Sequence, residues 1–236
     1  MTGPHADREA TLDSIRRTYR SYREAGRDRL WDPTNPGYAR MIRDRDHALV
    51  DLIRHSLPVG GSVLDLGCGQ GHLADLVRGD VGDLSWTGVD LLPESIADAR
   101  RLRPWATWIE GSADQLPVAD RTFDIVVAST LFSSLPTSDL ERAVAAEIAR
   151  VMAPGGWLVW YDVRYNSPRN LAVHAMDRRR LASLFPGWYI GTRSMTLLPP
   201  VARRLGRWTG LAYRPLELIP TLRSHLVGRL QRPRSP

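Results

Sequence analysis

Short apolar runs alternate with longer amphipathic stretches along most of this 236-residue chain. Leu12, Ile15, Tyr19 and Tyr22 recur at helical spacing within residues 10–25, and Met41, Leu49, Leu52 and Ile53 do so again after the break WDPTNPG at 31–37. Two helices are therefore predicted ahead of the first strand. SVLDL (62–66), WTGVD (86–90), TWIEG (107–111), FDIVVAS (123–129) and WLVWYDV (157–163) have the length and the Val, Ile and Trp content of buried strands. Between them lie the helical patterns HLADLVRG, PESIADARRLR and TSDLERAVAAEIARVM, the last stopped by APGG. This βαβ series predicts a doubly wound parallel sheet, with ligands at the carboxyl ends of its strands.

After residue 163 the rhythm changes. A helix over 175–184 is expected, then strands at WYIGTRSMTL (188–197) and SHLVGRLQ (224–231). The Pro- and Arg-rich stretch between those strands is too long for a hairpin turn, and short helices are expected around VARRLGRW and LELIPTL. The organisation expected is N-terminal helices over 1–61 capping a ligand site, and one α/β domain over 62–236 with a lid-like or docking insertion at about 198–223.

With 43% hydrophobic residues the chain is too apolar for disorder and large enough for one full core. No apolar run approaches the ~20 residues needed to cross a bilayer, and the opening residues lack the order of a signal peptide, so a cytoplasmic location is expected. Cys68 is the only cysteine, which removes a disulfide framework and a cysteine zinc cage, and no metal is expected. Every basic residue is Arg, and the charge is uneven. Residues 1–163 hold 18 Arg against 24 acidic residues, a net of −6; residues 164–236 hold 14 Arg against Asp177 and Glu217, a net of +12. The C-terminal third thus suits an anionic substrate, a nucleic acid or a lipid headgroup surface, or is a solvated basic face.

The candidate chemistry centres on SVLDLGCGQGHL (62–73), at the first strand-to-helix turn. Gly67, Gly69 and Gly71 allow unusual dihedrals and a close backbone approach to a ligand. A P-loop would need Lys, of which the chain has none, and the dinucleotide fingerprint would need glycine where His72 stands. The carboxylate of Asp65 at the strand end repels a pyrophosphate and attracts an ammonium group. A ligand with a cationic amino-acid end fits. Cys68 reads as small-residue packing rather than a nucleophile, His72 as the start of the next helix, and Asp124 as a turn residue.

Over residues 45–165 the sequence resembles class I S-adenosylmethionine-dependent methyltransferases. VLDLGCGQG is similar to that family's first motif, Asp90 stands 25 residues after Asp65 as its ribose-binding carboxylate does, and Ser112-Ala113-Asp114 matches its adenine station. Leu116-Pro117, Phe123-Asp124 and RVMAPGGWLVW follow in order. The resemblance implies a seven-stranded sheet of order 3-2-1-4-5-7-6 with the last strand antiparallel, and S-adenosyl-L-methionine as cofactor. It also implies a site made by Asp65, Gly67, Cys68, Gly69, Asp90, Leu91, Ala113, Asp114 and Ser129. Two acceptor oxygens on Asp90 suit two ribose hydroxyls.

Transfer from a sulfonium needs mainly positioning and water exclusion, worth roughly 7–11 kcal/mol when well arranged. An alcohol or phenol acceptor also needs a base, worth about 10²–10⁴-fold. Asp162 at the end of the fifth strand and His174 beyond it are the candidates, Asp162 alternatively being a structural carboxylate that binds loop amides or an Arg, and His174 an ordinary helix-flanking residue. A small-molecule acceptor, such as a sugar, glycolipid precursor or secondary metabolite, is favoured over a nucleic acid, since no binding module accompanies the arginines. A non-catalytic cofactor-binding regulator is the reading outside this class. Arg203, Arg204, Arg207 and Arg214 would serve a peripheral membrane contact.

Overall fold

The computed structural model describes residues 4–24, 32, 34–166 and 173–234. Residues 167–172 lie outside them, as do positions 31 and 33 of the expected break at 31–37. The chain opens with α1 (Pro4–Glu24) and α2 (Pro36–Arg54). Asn35 caps α2 by accepting from the Tyr38 amide at 3.0 Å, with Pro36 in the first turn, where a missing N–H costs nothing. Then follow β1 (Ser62–Leu66), α3 (His72–Val81), β2 (Ser85–Asp90), α4 (Pro93–Leu102), β3 (Thr107–Glu110), β4 (Phe123–Ser129), α5 (Ser138–Val151) and β5 (Met152–Val163). The remainder is α6 (Arg178–Leu184), β6 (Tyr189–Leu197), α7 (Pro199–Arg204), α8 (Thr209–Glu217) and β7 (Arg223–Gln231).

The seven strands form one sheet in the order β3-β2-β1-β4-β5-β7-β6, as expected. β1 to β5 run parallel, and β7 runs antiparallel to both β5 and β6. Alternate residues of each central strand face opposite layers. Leu64, Leu66, Val126, Leu158 and Trp160 pack with α1, α5 and α6; Val63, Ile125, Val127, Val159 and Tyr161 pack with α2, α3 and α4. By the same alternation Asp65 faces the α2 layer and Asp162 the α5 layer.

Three details depart from the sequence reading. β5 starts at Met152, so APGG lies inside the strand: Phe123 pairs with Met152, the register then slips, and Ile125 pairs with Trp157. Gly155, at φ +80, permits this bulge. α6 starts at Arg178 because the Asp177 carboxylate caps it, accepting from the Arg180 amide at 2.7 Å. The insertion between β6 and β7 has its own small core of Met41, Leu197, Ala202 and Tyr213. It docks on the start of α2 so closely that a Cβ on Gly37 would lie 1.8 Å from the Ala202 carbonyl oxygen.

Candidate cofactor and acceptor site

The glycine bend leaves β1 pinned at both ends. The amides of Gly67 and Cys68 donate to the Val89 carbonyl at 2.8 and 3.1 Å, and the Gly69 amide donates to Asp90 Oδ2 at 2.8 Å. Asp90 Oδ1 accepts from Leu92 at 2.9 Å, so one carboxylate ties the bend to the end of β2 and still has lone pairs for other donors. Burial raises the Asp90 carboxyl despite these amides. Gly69, at φ +54, faces open space where its Cβ would be, whereas a Cβ on Gly71 would strike the Trp108 ring at 2.3 Å. The first glycine leaves a cradle; the other closes the bend over the core.

Asp65 is buried at 4% exposure, and no described residue donates a hydrogen bond to it. Desolvation, followed by the charge of Asp90, pushes its carboxyl up to about 7, with Arg45 on α2 pulling the other way. A carboxylate held dry and unpartnered at a strand end is suited to receiving a cation. Burial and the two aspartates push the Cys68 thiol far up, so it is no thiolate nucleophile at neutral pH.

Asp114 is also buried, but paired. Arg8 of α1 reaches it with both Nε, at 2.6 Å, and Nη2, at 3.0 Å, and the Ser112 hydroxyl bonds the same group. Burial works to raise this carboxyl, and Arg8 with Ser112 outweighs it, holding it below the ordinary carboxylate value. Leu91 and Ala113 are half-buried against the core layer beneath α1. Ser129 ends β4 opposite Tyr161, and Thr130 turns the chain away at φ +54.

Sequence reasoning did not single out the polar side of α1. Arg8 holds Asp114, Arg20 holds Glu94 at 3.0 Å, Arg23 holds Asp98, and the Tyr19 hydroxyl bonds Ser134. Desolvation raises the Tyr19 phenol, and the charges of Asp162 and Asp90 add to the rise. Arg8 shares the stripe of Leu12, Ile15 and Tyr19, which turns it toward the domain, but its partner carries no mark in the sequence. Arg45 was missed as well.

Asp162 and His174 converge on one turn. Asp162 Oδ2 accepts from the Ser133 amide at 3.0 Å and Oδ1 from its neighbour Val163 at 2.8 Å, while the His174 amide donates to the Ser133 carbonyl at 2.8 Å. Asp162 is fully buried, which lifts its carboxyl to about 6 against those bonds. The structure thus supplies the alternative weighed for it, a carboxylate binding loop amides, and gives His174 a backbone contact with the same turn. His72 begins α3 as expected and also lies 3.5 Å from Asp46. Asp124 binds the Ser62 amide and hydroxyl, both at 2.9 Å, across the start of two strands.

Sheet order and topology together give the fold of class I methyltransferases. Residues 63–156 match the family described as a methyltransferase domain. Among curated proteins, the chain is 32% identical over 110 residues to the phthiotriol/phenolphthiotriol dimycocerosates methyltransferase of Mycobacterium tuberculosis (strain ATCC 25618 / H37Rv), covering 46% of this chain and 40% of that protein. It is 33% identical over 107 residues to the fatty-acid O-methyltransferase of Mycolicibacterium smegmatis, covering 44% and 38%. The matched stretch therefore spans about two fifths of these relatives. Among solved structures, the N-methyltransferase NodS from Bradyrhizobium japonicum WM9 in complex with S-adenosyl-L-homocysteine superposes with a TM-score of 0.67 at 20% identity, over 94% of this chain and 98% of that one. This last likeness is one of fold.

Proposed function

We propose that the protein is an S-adenosylmethionine-dependent methyltransferase acting on a small, hydrophobic acceptor at oxygen, in the cytoplasm and within a biosynthetic sequence. The observation that carries the reading is the dry, unpartnered Asp65 carboxylate beside the open cradle at Gly69. Asp65 takes the cofactor's ammonium group, the Gly67–Gly69 bend accommodates its amino-acid end, Asp90 takes the ribose hydroxyls, and Asp114 with Ala113 takes the adenine. When bound, S-adenosylmethionine supplies a methyl group already activated on a sulfonium. The chain's own part is orientation and exclusion of water. α1 closes the site through Arg8 and Tyr19; Asp162 holds the Ser133 turn at the acceptor side, and His174 stands beside it as the candidate base.

The acceptor class is inferred from the two mycobacterial relatives, whose names specify phthiotriol/phenolphthiotriol dimycocerosates and a fatty acid. The basic C-terminal third supports an acceptor with an anionic end. The test is calorimetric titration with S-adenosylmethionine, S-adenosylhomocysteine and NAD, followed by transfer assays with fatty acids, long-chain alcohols and phenols. The first two compounds are expected to bind and NAD to give no heat. Asp90→Ala is expected to lower cofactor affinity at least tenfold, with circular dichroism unchanged. NAD binding at this bend, or an unaltered affinity in the variant, overturns the assignment.

A further inference from the structure

The insertion between β6 and β7 carries an apolar face that the domain does not cover. α8 turns Thr209, Tyr213 and Glu217 inward, all buried, with Tyr213 in the small core on α2. Its other side should then be polar if solvent were its only neighbour. Instead Trp208 is 55% exposed, Leu211 74%, Leu218 74% and Ile219 45%. Positions 208, 211, 215 and 218 recur at helical spacing, so these side chains and Pro215 form one outward stripe.

The charge around the stripe has one sign. Within residues 198–223 the only acidic residue is Glu217, and it is turned inward, bonding the Thr196 amide at 3.1 Å and Arg214 at 3.0 Å. Arg204 and Arg207 are exposed at the edge, with the Arg207 guanidinium 5.1 Å over the Trp208 ring. On the other flank an open cleft of about 420 Å³ runs between α8 and β6, lined by Arg193, Arg214 and Arg223 against the single carboxylate of Glu217, with Met195 and Leu218. Elsewhere in the C-terminal third, Arg180 clamps buried Glu141, and Arg229 stacks on Trp157 at 4.3 Å. Exposed Arg193, Arg204 and Arg207 form no such ion pair among the described residues.

We propose that the outward face of residues 206–221 docks on an anionic bilayer surface, with Trp208, Leu211, Leu218 and Ile219 entering the headgroup boundary and Arg193, Arg204 and Arg207 meeting the headgroups. A tryptophan and aliphatic face fringed by arginine alone is the pattern of an interfacial helix. It disfavours a second copy of the same face, since like charges would then meet. Topology gives the contact a purpose. The insertion leaves β6 at its carboxyl end and returns into antiparallel β7, so it lies at the same end of the sheet as the glycine bend, Asp90 and Asp162. Arg164, just after β5, donates to the Pro220 carbonyl at 2.9 Å, joining the acceptor side to the docking face. An acceptor dissolved in the bilayer would then enter the site from the side that touches the lipid.

The test is co-sedimentation of the full chain with phosphatidylcholine vesicles, alone or with 30% phosphatidylglycerol, at 50 and 500 mM salt. Binding is expected to the anionic vesicles only, weakening at high salt. Replacing Trp208, Leu211 and Leu218 together by Ser abolishes it, and Arg193→Gln, Arg204→Gln and Arg207→Gln each lower it roughly fivefold, as about 1 kcal/mol per arginine near such a surface implies. All six positions are on the surface, so melting temperature and S-adenosylmethionine affinity are expected to stay at the wild-type values; that titration separates failure of the docking face from failure of the methyltransferase reading. Absence of vesicle binding at 50 mM salt, equal binding by the triple Ser variant, or wild-type dimers that the triple variant loses would each overturn the proposal.

Discussion

Asp65 and Asp114 are both buried carboxylates at one end of the sheet, and their environments drive them apart. Asp114 has Arg8 and Ser112 and stays ionised; Asp65 has no donor and is pushed up to about 7 by burial and by Asp90. This difference predicts a proton event. The raised carboxyl is largely protonated in the free protein below pH 7, and an ammonium group seated beside it would hold it ionised. Binding S-adenosylhomocysteine at pH 6.5 is expected to release up to one proton, and affinity to rise with pH until about 7, by as much as tenfold per unit. Titration calorimetry in buffers of different ionisation enthalpy measures the release directly. Asp65→Asn should bind more weakly and show no buffer dependence; a buffer-independent enthalpy in the wild type would mean that the carboxylate does not meet the ammonium group.

At the scale of elements, α1 is the part whose role the structure changes most. Its apolar stripe accounts for its packing, with Leu12 only 3% exposed, but its salt bridges decide where it lies. Arg8 to Asp114 is the one that is dry on the carboxylate side, with side-chain exposures of 26% and 4%; Arg20–Glu94, at 46% and 29%, is wet and contributes little. Arg8→Ala strands a buried carboxylate, at a cost of about 1–3 kcal/mol. The expected result is faster hydrogen exchange throughout α1 and a cofactor residence time shortened about tenfold in stopped-flow displacement, whereas Arg20→Ala changes neither appreciably. Equal behaviour of the two variants would remove α1 from the closure of the site. The asymmetry was not legible beforehand, because Arg8 and Asp114 are 106 residues apart in sequence.

For the whole molecule, the junction of β5, β6 and β7 carries a buried polar cluster that the sequence presented as ordinary strand. His225, 8% exposed, stacks on Tyr161 with ring centres 4.7 Å apart and meets the hydroxyls of Thr196 and Ser224 through Nδ1 at 2.8 and 2.7 Å. Burial, with Arg45 nearby, depresses its pKa to about 3. A base whose folded pKa is depressed contributes stability above its unfolded value of about 6.5, and that contribution is lost as pH falls toward 3. The advantage of the wild type over His225→Asn in urea unfolding should therefore shrink by about 2 kcal/mol between pH 7 and pH 5. The raised carboxyls of Asp65 and Asp162 act in the opposite direction, but equally in both proteins. An unchanged gap would show that His225 is protonated in the folded state.

The strand ladder, the glycine bend and the acidic strand ends were readable from the chain because each is encoded locally. Period two or 3.6 in hydrophobicity marks an element, a side-chain-free bend needs residues that tolerate positive φ, and parallel strands joined by helices leave few sheet orders. Contacts between distant segments had no such local mark. The pairing of Arg8 with Asp114, the burial that separates Asp65 from it, the two backbone amides that occupy Asp162, and the outward turn of Trp208 and Leu211 each depend on which surfaces meet when the layers close. A side chain's solvation and partners are properties of that closed packing, so only the tertiary structure could decide which carboxylate is left without a donor and which is paired.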